Sequence, residues 1–223
     1  MSKYFYKIRI VMISAVILSG GKAERMNGEK SFRTFGNKYL IENIADILNS
    51  LKIPFTTVFK NPVFLKDSSS EIEKQVYFYK KYNQAITWDM IPEMGPLVGM
   101  LSGMINCDSS WVLLVPCDMP FITEKSIENL INCIPIAEYK NCNAIVPKHE
   151  NGFIEPIFAL YHRSTINALQ KIVLETKEKK CSYPIRRLID EINPLFMNIS
   201  KIDPTGNVFL NINTIEELNS NIF

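Results

Sequence analysis

The segment Leu18–Lys30 has the residue types and spacing of a loop that could hold the phosphates of a nucleotide. Gly20 and Gly21 lack side chains, so the backbone there can approach a ligand closely and turn its N–H groups toward it. Arg25 and Lys30 add the fixed positive charge that a polyphosphate requires. The spacing matches neither a Walker A loop nor a dinucleotide-binding loop. If the loop is considered alone, the alternative to a phosphate-binding loop is a Gly-Gly turn followed by a solvated charged segment.

Asp118 follows the apolar run Trp111–Val115 and precedes a turn that contains Pro120. Ligands of an open parallel sheet bind outside the carboxyl ends of its strands, which is where we expect Asp118 to lie. A single carboxylate in that position suits Mg²⁺, which takes one or two carboxylates together with substrate phosphates and water. The alternative is an aspartate that only forms the turn or caps a helix.

Three further segments carry residues that a nucleotide site could use. Gly95 and Gly99 flank a predicted junction of loop and helix, where glycine permits close approach to a ligand and tight packing. Asp89 precedes this junction, and from the sequence alone it is an ordinary exposed surface carboxylate. Asn211 and Asn213 are two residues apart, so on an extended segment their side chains share one face.

Short apolar runs alternate with longer helical segments, which is the pattern of an α/β protein with a largely parallel sheet. The predicted strands are Val11–Leu18, Phe55–Phe59, Ala85–Trp88, Trp111–Val115, Asn143–Val146 and Phe158–Tyr161. The predicted helices are Leu40–Leu51, Leu97–Asn106, one that begins near Thr123, and Arg163–Lys177. Residues 67–70 are typical of a loop, and Val76–Tyr82 fits either a strand or a helix. No repeat or flexible linker divides the 223 residues, so we expect a single domain over 1–223.

Composition excludes several classes of function. The net charge of +2, with no basic stripe, argues against a nucleic-acid partner. Five cysteines without CxxC spacing predict reduced thiols in a cytoplasmic protein rather than disulfides or a zinc site. No apolar run reaches the length that spans a membrane, so no membrane partner is expected.

The N-terminus imitates a secretory signal, because Lys3, Lys7 and Arg9 precede the apolar run Ile10–Leu18. We favour a buried first strand, since this run is rich in β-branched residues and leads directly into the glycine loop. Residues 1–11 are then a short extension before Met12. The alternative is that the run is a secretory signal, in which case the chain would be a secreted binding protein.

The loop resembles the signature of the molybdenum cofactor guanylyltransferases, LAGGxSxRMGxxK. The resemblance resumes at Gly95–Met100, at Pro116–Pro120 and at Asn211–Thr214, in the family's order and at about its spacing. It departs at Asn27 and at Glu29, where the family usually has glycine and aspartate, and both changes keep the loop polar. It departs also near Asn61, which is the nearest substitute for an asparagine that the family carries at a strand end.

The resemblance implies a Rossmann-like nucleotidyltransferase fold, with a mostly parallel central sheet and helices on both faces. It implies a magnesium-dependent enzyme that transfers GMP from GTP to the molybdenum-loaded molybdopterin, forming molybdopterin guanine dinucleotide and pyrophosphate. The partners implied are GTP, molybdenum-molybdopterin and molybdoenzyme maturation proteins, with a monomer or weak oligomer as the assembly.

Residue by residue, the resemblance implies catalytic roles for Arg25, Lys30 and Asp118, with Asp118 as the Mg²⁺ ligand. It implies acceptor-side roles for Asn211 and Asn213. The residues that it implies for GTP binding are Leu18, Ser19, Gly20, Gly21, Lys30, Asn61, Asp89, Gly95 and Asp118.

The segment Glu155–Tyr161 resembles the family's acceptor-side strand. Five nearby side chains could neutralise an acceptor phosphate or simply be solvated; they are Lys148, His149, Arg163, Arg186 and Arg187.

Two other functions stay open from the sequence. One is a related nucleotidyltransferase that uses CTP or a sugar-phosphate acceptor. The other is a non-catalytic nucleotide or pterin carrier, although a carrier has no need of both Lys30 and Asp118. No Ser/His/Asp or Cys/His set suggests a protein nucleophile.

Overall fold

Seven strands form the central sheet of the protein, whose computed structural model describes residues 12–19, 30–64, 68–91, 95–179 and 184–212. Their order across the sheet is β5-β4-β1-β6-β8-β7-β9. The strands are β1 (Ile13–Leu18), β4 (Phe55–Phe59), β5 (Ala85–Trp88), β6 (Trp111–Pro116), β7 (Ala144–Lys148), β8 (Ala159–His162) and β9 (Pro194–Asn198). A separate two-stranded hairpin consists of β2 (Thr34–Phe35) and β3 (Lys38–Tyr39).

The sheet is mostly parallel, as the sequence predicts. Strands β5, β4, β1 and β6 run parallel to one another, and β7 is parallel to β9. Only β8 reverses, because it pairs antiparallel with both β6 and β7 among the described strands.

Helices cover both faces of the sheet, so two apolar cores form. One core includes Ile44, Phe78 and Ile127, and the other includes Leu97 and Leu169. The helices are α1 (Leu40–Ser50), α2 (Ser68–Tyr82), α3 (Pro96–Met104), α4 (Glu124–Ile131), α5 (Ile134–Tyr139), α6 (Ile166–Lys179), α7 (Arg186–Glu191) and α8 (Ile199–Ile202).

Most predicted elements are confirmed, and two details of the prediction were wrong or undecided. The apolar run near the N-terminus is the buried strand β1, which confirms the strand interpretation for Ile13–Leu18. The backbone of residues 68–70, predicted as a loop, forms the first turn of α2. Val76–Tyr82 is helical because Gln75, Phe78 and Tyr82 fall at helical spacing and are buried together.

The predicted start of α4 near Thr123 is also confirmed. The hydroxyl oxygen of Thr123 accepts a hydrogen bond from the backbone N–H of Ser126 at 3.1 Å. This contact satisfies one of the N–H groups that the first helical turn leaves without a partner.

The strand order creates a switch point beside β1. The chain passes from β1 to β4 and β5 on one side, and then returns to β6 on the other side of β1. Ligands of doubly wound sheets bind at such a point, outside the carboxyl ends of the strands. Leu18 pairs with Pro116 there, and the N–H of Cys117 donates to the carbonyl of Leu18 at 3.2 Å. Ser19 and Asp118 therefore leave adjacent strands at the same edge.

Four of the cysteines, Cys107, Cys117, Cys133 and Cys142, are free thiols, as predicted. Within the described ranges, no helix is both long enough and apolar enough to cross a membrane.

Candidate nucleotidyl-transfer site

Lys30 and Asp118 meet at the switch point. The Lys30 ammonium donates to Oδ2 of Asp118 at 2.6 Å, although 88 residues separate the two in sequence. Their side chains are 14% and 25% exposed, so the pair is shielded and still reachable from solvent. The structure thus brings together the end of the predicted phosphate loop and the predicted metal ligand, while Gly20, Gly21 and Arg25 lie outside the described residues.

The end of β1 presents Leu18 and Ser19 to this edge. The N–H of Ser19 donates to the carbonyl of Val58 at 3.0 Å, which fixes the start of the loop to β4. The Ser19 hydroxyl is buried and has no hydrogen-bond partner in the part of the chain that the structure describes. Leaving a buried hydroxyl unsatisfied is unfavourable, so this atom fits a site completed by a ligand.

Asp89 directly follows β5, at the carboxyl end of that strand. Its N–H donates to the carbonyl of Phe59 at 3.0 Å, and its Oδ1 lies 2.9 Å from the position that a Cβ at Gly99 would take. Burial raises the pKa of the Asp89 carboxyl to about 7, and the positive charge of Lys60 offsets part of the rise. The carboxyl is therefore a group that a ligand with N–H donors would hold in its ionised form.

Helix α3 packs against the sheet through its glycines. A Cβ at Gly99 would also lie 3.2 Å from Cδ2 of Leu18, and one at Gly103 would lie 2.3 Å from Cγ1 of Val16. Gly95 caps the helix with a φ of 80°, in the left-handed region that favours glycine, and it is exposed at the edge. The prediction that Gly99 permits tight packing is confirmed.

Asn61 lies just beyond β4, at the same edge as Asp89. Its Oδ1 accepts a hydrogen bond from the N–H of Val63 at 3.1 Å, so the carbonyl end of the amide closes a local turn. A contact from Asn61 to the nucleotide stays a prediction.

The acceptor side begins at the last described residues. The N–H of Ile212 donates to the backbone carbonyl of Asp118 at 2.9 Å, which brings the exposed Asn211 next to the metal-ligand candidate. Asn213 lies outside the described residues, and 211–212 form no regular strand, so the predicted shared face of the two asparagines is untested.

A pairing that the sequence interpretation missed occurs in the hairpin between β7 and β8. His149 Nε2 and Glu155 Oε1 lie 2.8 Å apart, and the N–H of Glu155 donates to the carbonyl of Pro147 at 3.0 Å. The signal was present in the sequence, because Asn151 and Gly152 form a turn that returns the chain. Gly152 has a φ of 88°, which glycine adopts without strain.

The donor set around Asp118 fits magnesium better than a metal held by the protein alone. The described residues contain no group of three or more His, Cys, Asp or Glu side chains that could enclose a metal ion. Mg²⁺ needs no such cage, since it is held by one or two carboxylates with substrate phosphates and water. Asp118, half-buried at the end of a strand, supplies a carboxylate of this kind.

A thiolate nucleophile is not available beside Asp118. Burial, together with the negative charge of Asp118, raises the pKa of the Cys117 thiol to about 12, so the thiol stays protonated at neutral pH. The arrangement is suited to positioning and neutralising anions rather than to covalent catalysis.

Comparison with known proteins agrees with this geometry. The family described as "MobA-like NTP transferase domain" matches residues 15–193. A Methanocaldococcus jannaschii protein named "Probable molybdenum cofactor guanylyltransferase" is 46% identical over 95% of this chain and 99% of its own length. The molybdenum cofactor guanylyltransferase of Aliivibrio fischeri strain ES114 is 32% identical, over 92% of this chain and 93% of its own.

A solved structure shares the fold. The molybdopterin-guanine dinucleotide biosynthesis protein A of Archaeoglobus fulgidus superposes with a TM-score of 0.72 at 21% identity, over 93% of this chain and 95% of that one. The family match covers both Leu18 and Asp118, and the relatives align along nearly the whole chain. The chain belongs to the MobA-like NTP transferase family and, within it, to the molybdenum cofactor guanylyltransferases.

Proposed function

We propose that the protein transfers GMP from GTP to a molybdenum-loaded molybdopterin, with Mg²⁺, in the cytoplasm. The observation that carries the proposal is the contact of Lys30 with Asp118 at the switch point of the sheet. The names of the relatives support the choice of nucleotide and acceptor. Maturation proteins of molybdoenzymes are the partners to which a labile product would pass.

In the proposed reaction, an oxygen of the acceptor phosphate attacks the α-phosphorus of GTP. The bond between the α-phosphorus and the bridging oxygen breaks, and pyrophosphate leaves with the electron pair. No protein atom is bonded covalently to the substrates. The work of the protein is to hold two anions in line and to stabilise the charge that develops between them.

The chain's own residues divide this work. The backbone of Ser19, Gly20 and Gly21 binds the phosphates, and Arg25 and Lys30 neutralise the departing pyrophosphate. Asp118 would hold the metal, which when bound supplies Lewis-acid stabilisation of the phosphate oxygens. In the absence of substrate, the Lys30 ammonium compensates the Asp118 charge.

The nucleotide and the acceptor are proposed to lie on opposite sides of this pair. Leu18, Asn61, Asp89 and Gly95 surround the guanosine on the side of β4 and β5. Asn211 and Asn213 contact the acceptor on the side of β6 and β8.

The test is a transfer assay with purified protein, molybdenum-molybdopterin and Mg²⁺, in which GTP, CTP, ATP and UTP are compared. We expect pyrophosphate release and a guanine dinucleotide product with GTP, identified by mass spectrometry after chromatography. A cytidine product would move the enzyme to a CTP-dependent branch. Binding of GTP without turnover would make the protein a carrier, and either result would overturn the proposal.

A further inference from the structure

The pair of His149 and Glu155 lies at the same edge of the sheet as Asp118. Leu113 of β6, Leu160 of β8 and Ile145 of β7 share one row of the sheet. Glu155 is hydrogen-bonded to Pro147, two residues further along β7, toward the carboxyl ends of β6 and β7. Since β9 occupies the other side of β7, Glu155 lies on the side of β8, about one strand spacing (~5 Å) from the line of the Asp118 strand.

One oxygen of the Glu155 carboxylate is hydrogen-bonded within the protein, and the other is accessible to a ligand. Its side chain is 13% exposed, and Oε1 contacts His149. Across the described part of the chain, no hydrogen bond reaches Oε2, and this oxygen is accessible to solvent. Burial raises the pKa of the Glu155 carboxyl, and the hydrogen bond and charge of His149 offset part of that rise. An accessible oxygen on a largely buried carboxylate is matched by a ligand that donates N–H groups.

Aromatic rings pack against His149, the hydrogen-bond partner of this carboxylate. The His149 ring lies 5.6 Å from the ring centroids of both Phe153 and Phe209. The guanidinium of Arg186 lies over the ring of Phe153 at 5.6 Å. Phe209 also connects this cluster of rings to the reaction centre. Three residues later in the chain, the N–H of Ile212 donates to the backbone carbonyl of Asp118. Flat rings, a cation and a carboxylate together suit a planar heterocycle that carries N–H donors.

Asp89 and Glu155 lie on opposite sides of the reaction centre. Asp89 follows β5, which is two strands away from β1, and Glu155 contacts β7, which is two strands away from β6. Each is a largely buried carboxyl with a basic residue near it. For Asp89 this residue is Lys60, and for Glu155 it is the hydrogen-bonded His149. Guanine and pterin present the same edge, a 2-amino-4-oxopyrimidine with neighbouring N–H donors. Asp89 and Glu155 could thus each bind one of the two heterocycles, guanine and pterin, that the product contains.

We propose that Glu155 is a specificity-determining residue that binds the 2-amino-4-oxo edge of the pterin acceptor, and that His149 holds its carboxylate in place. This inference rests on the proposed function for the identity of the acceptor. Guanine could in principle supply the same edge; the position of Glu155 beyond β6, away from β4 and β5, assigns it to the acceptor.

The test compares Glu155→Leu, which removes both oxygens, with Glu155→Gln, which keeps one acceptor oxygen. Glu150→Leu, at an exposed position of the same hairpin, is the matched control. In the transfer assay, we expect Glu155→Leu to raise the KM for the acceptor at least tenfold and to leave the KM for GTP within twofold. Glu155→Gln should show a smaller rise, and the control should behave as the wild type.

A second measurement does not depend on turnover. Binding of 6-hydroxymethylpterin, followed by its fluorescence with saturating GTP present, should be at least tenfold weaker in Glu155→Leu. An acceptor KM within twofold of wild type, or unchanged pterin binding, would overturn the inference. A rise in the KM for GTP alone would show that Glu155 reads guanine instead. Failure of the wild type to form the dinucleotide would refute the proposed function, and the pterin-binding result would still decide the role of Glu155.

Discussion

The two halves of the sheet edge are built differently on either side of Lys30 and Asp118. On the nucleotide side, β1, β4 and β5 are parallel, and α3 lies close to them because Gly99 and Gly103 have no side chains. On the acceptor side, the antiparallel β8 returns the chain through a hairpin, which places His149 against Glu155. The first half is shaped by close backbone packing, and the second by side chains that project from a turn.

This difference suggests a division of labour within the fold. Tight glycine packing leaves little freedom for the group it faces, so Asp89 is fixed by its surroundings. A hairpin can change its side chains without disturbing the sheet, because loops tolerate substitution better than packed strands do. We infer that the nucleotide side is the constant half of the site and that the acceptor side is where specificity is adjusted.

The largest expected effect is at the junction of the two halves. Asp118→Ala should lower kcat by about 100- to 1,000-fold, because it removes the carboxylate that we propose holds Mg²⁺ beside the reacting phosphates. The KM values for GTP and for the acceptor should change much less. Steady-state kinetics with Mg²⁺ measure all three, and thermal unfolding checks that the fold is retained.

Asp190→Ala is the matched control, since Asp190 is exposed on α7 and away from the edge. Transfer at the wild-type rate in Asp118→Ala would remove the metal assignment. An effect on only one of the two KM values would assign Asp118 to one half rather than to the junction.

A smaller effect is expected within the nucleotide half alone. Gly99→Ala adds a methyl group 2.9 Å from Oδ1 of Asp89 and 3.2 Å from Cδ2 of Leu18, so one of these groups must move. Overpacking of this size corresponds to about 1–3 kcal/mol, and we expect the KM for GTP to rise roughly tenfold. The KM for the acceptor should stay within about twofold.

A double-mutant cycle tests the cause of that effect. Asp89→Ala shortens the side chain that the new methyl group meets, so adding Gly99→Ala to it should change the KM for GTP little further. Additive effects of the two substitutions would show that Gly99 does not act through Asp89. Equal rises in both KM values would contradict the separation of the two halves.

The sequence predicted the nucleotide half more completely than the acceptor half, for a physical reason. Strands β1, β4 and β6 are short, largely apolar runs, and parallel strands buried on both faces are readily recognised by that pattern. Asp118 then follows from the rule that ligands bind at carboxyl ends of strands, whereas Asp89 was identified through the family resemblance. Each lies directly beyond a strand of the sheet, and the roles of both stay predictions.

The acceptor half depends on contacts whose register no local sequence pattern gives. Strand β9 and helix α7 were not predicted, because β9 begins with proline and has no fully buried residue, and α7 has only six residues. The contact of Ile212 with Asp118 joins positions 94 residues apart, and the pairing of His149 with Glu155 depends on a hairpin whose register the sequence did not reveal.

The last effect that we predict in the nucleotide half, no larger than that of Gly99→Ala, is a dependence of GTP binding on pH. The pKa of Asp89 is about 7, so the carboxyl is mostly protonated at pH 6 and mostly ionised at pH 8. Only the ionised form accepts hydrogen bonds from the N–H and amino groups of guanine on both oxygens. The Kd for GTP should therefore rise as the pH falls, by about tenfold between pH 8 and pH 6.

Asp89→Asn separates this effect from titration of the nucleotide itself. The amide does not ionise, so the variant reports only the change that the phosphates of GTP contribute over the same pH range. The tenfold change should appear as the difference between the two curves, measured by equilibrium titration without acceptor. Parallel curves for wild type and variant would mean that the Asp89 carboxyl does not contact the base, and the fixed half of the site would then read GTP through its backbone alone.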